Sequence, residues 1–198
     1  MNITNEILNY LNQQFCLFNG INNVKNYNLT PKKRIIIAFA GIPGCGKSTI
    51  AKHLEQELKY FRIESDAIRQ FFRINFNYSL NSEEILTGVV DFLSKNLESN
   101  FILDSSVDRK FRYFKEFTDK TNFKIIVISI EIQAKDALQR IHNRKNGFVT
   151  DQNKIKIFVD QHNLFLESYN PDIFVSYDDD LDNTTSKIIR KVRDLNEN

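Results

Sequence analysis

Three of the chain's six glycines, Gly41, Gly44 and Gly46, fall within six residues directly behind the apolar run 35–40, and Lys47 and Ser48 follow at once. Few folds admit that order. The run reads as a strand buried on both faces, and the glycines let the backbone turn sharply into the helix-forming stretch beyond. Strands buried on both faces belong to parallel sheets covered by helices on each side. The pattern continues along the chain, where short runs rich in Ile, Val and Phe predict strands over 34–40, 61–64, 101–104, 124–131 and 173–177. Helices are expected over 47–59, 66–73, 82–99, 108–121, 134–145, 151–168 and 184–195. The expectation is α/β, with strand and helix alternating throughout.

The clearest helix starts at Ser82, because Ile85, Val89, Leu93 and Leu97 recur at a spacing that stacks them on one face. Residues 1–33 read as an N-terminal extension: Ile3, Ile7, Leu8 and Leu11 suggest a helix, and a polar stretch then runs to the basic triplet Lys32, Lys33 and Arg34. Residues 34–198 read as one domain, which the length of 198 residues suits. A formal net charge of +2 is too small a field to draw the whole molecule onto nucleic acid or an anionic membrane. Two cysteines are too few for a disulfide framework, and no leader or membrane-spanning run is visible, so a cytoplasmic location is expected.

The segment from Gly41 to Ser48 fits the spacing G-x4-G-K-S/T. Its glycines can bring backbone N–H groups against a polyphosphate, and the N-terminus of the following helix adds unpaired donors and partial positive charge. Gly41, Pro43, Gly44, Cys45, Gly46, Lys47, Ser48 and Thr49 are therefore the candidate nucleotide-binding residues, for ATP or GTP. Lys47 can reach the β- and γ-phosphates, Ser48 can bind Mg²⁺, and Cys45 is a small filler.

Further candidates lie where later strands end, at the carboxyl edge that gathers ligands in such sheets. Asp66, just past the second strand, can accept the proton of a hydroxyl attacking the γ-phosphate; a helix cap by Ser65 or Asp66 is the alternative. Arg69 and Arg73 are candidates for an acidic acceptor group or a phosphate, and Arg112 for the substrate side. Asp104 can hold Mg²⁺ through water, and no acid follows it, which favours transfer over hydrolysis. Asp108 reads as a helix N-cap. Arg140 and Arg144, four residues apart, can clamp a transferring phosphoryl group from a lid near 134–150. Tyr177 stands in an acidic turn where it could stack on a base; His53, His142 and His162 read as structural, and no nucleophilic triad is visible.

In these four blocks, in this order, the chain resembles the P-loop kinase group that includes polynucleotide 5'-kinases, zeta-toxin-like kinases and related small-molecule kinases, often labelled AAA-type ATPases. The resemblance covers roughly residues 35–195, and the block with Arg73 is also similar to the type that phosphorylates 2-phosphoglycerate. It implies a P-loop NTPase α/β/α sandwich with a five-stranded parallel sheet of nucleotide-kinase type, Asp66 as acceptor base, and lid arginines at the phosphates. Ser105 and Ser106 depart from the residues usual after the third strand's acid. The expected activity is ATP- and Mg²⁺-dependent transfer to a hydroxyl of a small-molecule or nucleotide-like acceptor. The alternatives are a nucleotide-dependent ATPase switch or binding module, and a 5'-hydroxyl polynucleotide kinase.

Overall fold

A computed structural model describes residues 1–22, 34–143 and 151–197. Five parallel strands, β1 (Arg34–Ala40), β2 (Phe61–Glu64), β3 (Phe101–Ser106), β4 (Phe123–Glu131) and β5 (Ile173–Ser176), form one sheet in the order β2-β3-β1-β4-β5. Eight helices among the described residues surround it: α1 (Ile3–Asn22), α2 (Lys47–Leu58), α3 (Ser65–Phe76), α4 (Ser82–Lys95), α5 (Phe111–Asp119), α6 (Ala134–His142), α7 (Gln152–Ser168) and α8 (Leu181–Glu197). This is the expected α/β/α sandwich.

β1 shows why the layers form. Its odd residues Ile35, Ile37 and Phe39 join Ala51 and Leu54 of α2 and Ile188 and Val192 of α8 in one core. Its even residues Ile36, Ala38 and Ala40 join α1, α3, α4 and α5 in the other. Successive strand side chains point to opposite faces, so one wholly apolar strand supplies both cores.

Residues 3–22, set apart in sequence, share that second core: Ile7, Leu8 and Leu11 are buried with α4 beside them. Gly88 lets the two helices close, since a Cβ there would stand 2.5 Å from Ile7 Cγ2. α4 starts in a capping box between Asn81 and Glu84, and Ile85, Val89 and Leu93 are buried as expected. Leu97 does not continue the stripe. The helix ends at Lys95, and Leu97 is 45% exposed beyond it. No helix among the described residues is long and apolar enough to cross a membrane.

Register brings the strand ends together. Glu64 pairs with Asp104 across β2 and β3, and Ala40 pairs with Ser129 across β1 and β4. The carboxyl edge therefore carries, side by side, the starts of α3, of the loop after β3, and of the glycine loop.

Candidate active site

The glycine loop turns through positive φ at Gly41 (135°), Gly44 (91°) and Gly46 (109°), and the last of these caps α2. Gly44 also lies against α6: a Cβ there would stand 2.8 Å from the Ala137 carbonyl oxygen. One turn along α6, Arg140 reaches over the loop. Its Nη2 lies 3.9 Å from a Cβ built on Gly46, and its guanidinium lies 5.5 Å from the centre of the Tyr177 ring. Tyr177 thus holds Arg140 by cation–π attraction. Arg144 lies outside the described residues.

Lys47, the first residue of α2, folds back over the loop and donates to the carbonyls of Gly41 (2.7 Å) and Ile42 (2.9 Å) and to Cys45 Sγ (3.3 Å). Cys45 is buried beneath it. Ser48 Oγ donates to Asp104 Oδ1 at 2.8 Å, and the Asp104 side chain is only 2% exposed. A hydroxyl beside a buried carboxylate is the hard-oxygen donor pair that Mg²⁺ takes together with substrate phosphates and water. Among the described residues no group of three or more His, Cys, Asp or Glu could hold a metal ion.

Arg62 escaped notice in the sequence. Its Nη1 donates to the other oxygen of Asp104 at 2.6 Å and lies 2.9 Å from Glu64, while Nε reaches Glu55 at 3.1 Å. Burial would lower the pKa of this guanidinium, but the bond to Glu55 and the charges of Glu64 and Asp104 outweigh it and hold the value above the ordinary one. The available signal was an arginine and a glutamate two apart in a four-residue strand, hence on one face.

Asp108 is not an N-cap. α5 begins three residues later behind Lys110, and the Asp108 carboxylate turns inward. It accepts from the Gly41 backbone N–H at 3.2 Å and from His162 Nδ1 at 3.0 Å. Burial would raise its pKa, yet the bond and charge of His162, the Ser106 hydroxyl and the Lys47 ammonium together leave it lowered. An ionised carboxylate only accepts, so the proton is on Nδ1. His162 Nε2 lies 3.4 Å from Ser129 Oγ. Ser, His and Asp thus do stand in line, but Ser129 is wholly buried, so this chain of groups ties α7 and β4 to the first glycine of the loop and does not present a nucleophile.

The acceptor candidates divide. Asp66 stands in the first turn of α3 with its side chain 89% exposed, paired with Arg69 at 3.1 Å. No side chain caps α3, which excludes the cap alternative. Arg69 also reaches Ser82 Oγ at 3.4 Å. Arg73 lies one turn further from the strand edge, exposed. Arg112, 88% exposed, pairs with Glu116 on the outer surface of α5. Neither joins the Asp66–Arg69 pair.

Ser65, next to Asp66 in sequence, lines with Ser105 and Lys110 a crevice of only about 10 Å³ whose other walls are apolar, among them Ile63, Ile85, Val89 and Phe114. Lys110 is partly buried, and that burial, with the charges of Arg69 and Arg109 nearby, pushes its ammonium down to about 8. A larger hollow between α5 and the start of β4, about 340 Å³, lies at the opposite end of the sheet from the glycine loop and gathers none of these groups.

Residues 36–163, well over half of the chain, match a family model described as an AAA domain. Over 195 residues the chain is 25% identical to the adenylyl-sulfate kinase of Buchnera aphidicola subsp. Acyrthosiphon pisum (strain APS), with 92% of each chain covered. It is similar in fold to a gluconokinase from Sinorhizobium meliloti 1021, with a TM-score of 0.57 at 13% identity over 84% of this chain and 95% of that one. A shikimate kinase from Bacteroides thetaiotaomicron gives 0.55 at 12% identity over 80% and 98%. With its glycine loop, its Ser48–Asp104 pair and its five parallel strands, the chain belongs to the AAA domain family, in the P-loop kinase group.

Proposed function

We propose that the chain is a Mg²⁺-dependent kinase that moves the γ-phosphate of ATP to a hydroxyl of a small-molecule or nucleotide-like acceptor. The observation that carries this reading is the meeting of three parts at one sheet edge: the glycine loop with Lys47, the Ser48–Asp104 pair, and Asp66 across from them. The kinase relatives support it, and so does Arg140 over Gly46.

Each residue has a step. The loop N–H groups and the α2 N-terminus bind the phosphates, and Lys47 exchanges its bonds to the Gly41 and Ile42 carbonyls for β- and γ-phosphate oxygens. Ser48 and Asp104 would hold Mg²⁺, which when bound neutralises phosphate charge. The acceptor oxygen attacks phosphorus in line, the bond from the γ-phosphorus to the bridging oxygen breaks, and the acceptor proton passes to the Asp66 carboxylate while ADP leaves. Arg140 stabilises charge on the transferring group, which is worth most in a water-poor site.

The test is single-turnover transfer from γ-labelled ATP across hydroxyl acceptors, in the unaltered chain and in Asp66→Asn. Transfer should fall about 10²- to 10⁴-fold in the variant, with Mg·ATP binding retained. Full transfer in Asp66→Asn refutes the base. A loss of Mg·ATP binding that added Mg²⁺ restores would make Asp66 part of the metal shell.

A further inference from the structure

We propose that His162 is a positioning residue for nucleotide binding: its Nδ1–H holds the Asp108 carboxylate on the backbone of Gly41 and so keeps it from capturing the ammonium of Lys47. The inference rests on the phosphate-binding role proposed above for Lys47, and it adds to that site a residue of α7, far from the glycine loop in sequence.

The geometry centres on Gly41. Its N–H donates to Asp108, 3.2 Å from Oδ1 and 3.3 Å from Oδ2, and its carbonyl accepts from Lys47 Nζ at 2.7 Å. A carboxylate and an ammonium are thus attached to opposite ends of one residue, near enough for the charge of Lys47 to act on Asp108. Lys47 nevertheless bonds to neutral partners only, the Gly41 and Ile42 carbonyls and Cys45 Sγ.

The donors around Asp108 account for this. Besides the Gly41 N–H it accepts from the Ser106 hydroxyl and from His162 Nδ1 at 3.0 Å. Ser106 ends β3 and Gly41 follows β1, so His162 is the donor that comes from outside the sheet edge. Its ring is fixed in turn. Nε2 lies 3.4 Å from Ser129 Oγ, and the ring stacks on Phe165 with centres 6.3 Å apart. Ser129 pairs with Ala40 in register, and its neighbour Ile130 is the residue whose carbonyl oxygen would stand 2.8 Å from a Cβ on Gly41. The imidazole is therefore anchored to the same strand end against which Gly41 packs.

A bond between two charged groups is about twice as strong as one between neutral groups. Were Asp108 released, it would pair with Lys47, and an arriving phosphate would have to break that pair. Carbonyls give the lysine up more readily. Holding Asp108 on Gly41 keeps Lys47 in reach of the loop and available to the nucleotide.

Binding of Mg²⁺ with a non-hydrolysable ATP analogue, measured on the full chain by calorimetry, tests this. His162→Leu should weaken binding roughly tenfold or more, because the carboxylate loses its fixed donor. His162→Asn, whose amide can donate from the place of Nδ1, should bind nearly as well as the parent. The double variant His162→Leu/Asp108→Asn should regain most of the loss, since an amide still accepts from Gly41 but cannot capture Lys47. A merely structural histidine predicts the reverse, with the second substitution adding to the damage. Unchanged affinity in His162→Leu, or no recovery in the double variant, overturns the proposal and leaves the kinase reading standing. If His162→Leu does not fold, Asp108→Asn alone decides: it should bind the analogue at least as tightly as the parent, and weaker binding overturns the proposal. The expected binding pattern together with transfer to no hydroxyl acceptor supports the positioning role and defeats the kinase reading.

Discussion

Lys110→Met should make the protein more stable at neutral pH, which is unusual for removing a charged side chain at a helix start. The ammonium is pushed from 10.5 in the open chain down to about 8 in the fold. At 1.36 kcal/mol per unit the cost of holding it charged is at most about 3 kcal/mol. Solvent at the tip of the side chain reduces that, and about 1 to 2 kcal/mol is the expected gain on replacing it with an uncharged side chain of similar length. For a chain of this size the gain corresponds to roughly 2 to 8 °C in Tm. The sign with pH follows from proton linkage. Between about 8 and 10.5 the unfolded chain keeps a proton that the folded chain has lost, so the unaltered protein gains stability as pH rises through that window. Below it the deficit is constant. The advantage of Lys110→Met should therefore be full at pH 7 and should shrink steadily above pH ~8. Urea unfolding of both proteins in chloride buffer, at pH 7 and pH 9.5, reads the difference and cancels the titration of every other group. A variant no more stable at pH 7, or an advantage of equal size at both pH values, would refute the claim that Lys110 is an unpaired cation held against its own charge.

Two further perturbations test the supports of the loop. Asp108→Ala leaves the Gly41 N–H and His162 Nδ1 without their buried acceptor, which at about 1 to 3 kcal/mol for each orphaned group costs roughly 2 to 6 kcal/mol in urea unfolding. Because the Asp108 pKa is lowered in the fold, its contribution is complete above the ordinary carboxylate range near pH ~4 and is lost as pH falls through the lowered value, so the penalty of Asp108→Ala should fade in acid. Arg62→Gln strips Glu55, Glu64 and the buried Asp104 of their common cation and should destabilise by about 3 to 5 kcal/mol. If calorimetry finds that variant as stable as the parent, Arg62 does not hold Asp104 in place.

How far the sequence carried the reading depended on whether the deciding contacts were local. The sheet was legible because β1 is apolar at every buried position and the glycines sit at its end, signals contained in a dozen consecutive residues. Loop, Ser48 and Asp104 followed from strand ends. Asp108 was misread because an acid ahead of a helical pattern is the same local signal whether it caps the helix or turns inward, and His162, which decides, is 54 residues away. Arg62 was missed for the same reason: its spacing to Glu64 puts both on one face of β2, but the partner that matters, Asp104, is 42 residues away on β3. Arg73 was read from its one-turn spacing to Arg69, but spacing along one helix says nothing of how far later turns lie from the sheet edge, and Arg112, at the start of α5, pairs with Glu116 in solvent instead. Leu97 shows the converse limit, since periodicity ran past the point where Asn96 ends the helix.

On the kinase reading proposed above, the charges at the edge are treated in two different ways. On the nucleotide side the acids are partnered from within: Asp104 by the Arg62 guanidinium, and Asp108 by hydrogen bonds from His162 Nδ1 and the Gly41 N–H. An unpaired buried carboxylate there would repel the phosphates as well as destabilise the fold, so internal pairing serves binding and stability together. Lys47 is kept by carbonyls, weaker partners than a carboxylate, which a phosphate can displace. On the proposed acceptor side Asp66 is exposed with only a surface pairing to Arg69, worth at most about 1 kcal/mol, which would not hinder the base role proposed for it. Among the described residues Lys110 has neither a hydrogen bond nor an ion pair, and Arg69 and Arg109 stand near enough to repel it. Holding an ammonium half-buried without a partner costs stability, which is why Lys110→Met, by removing the charge, is expected to stabilise the fold at neutral pH.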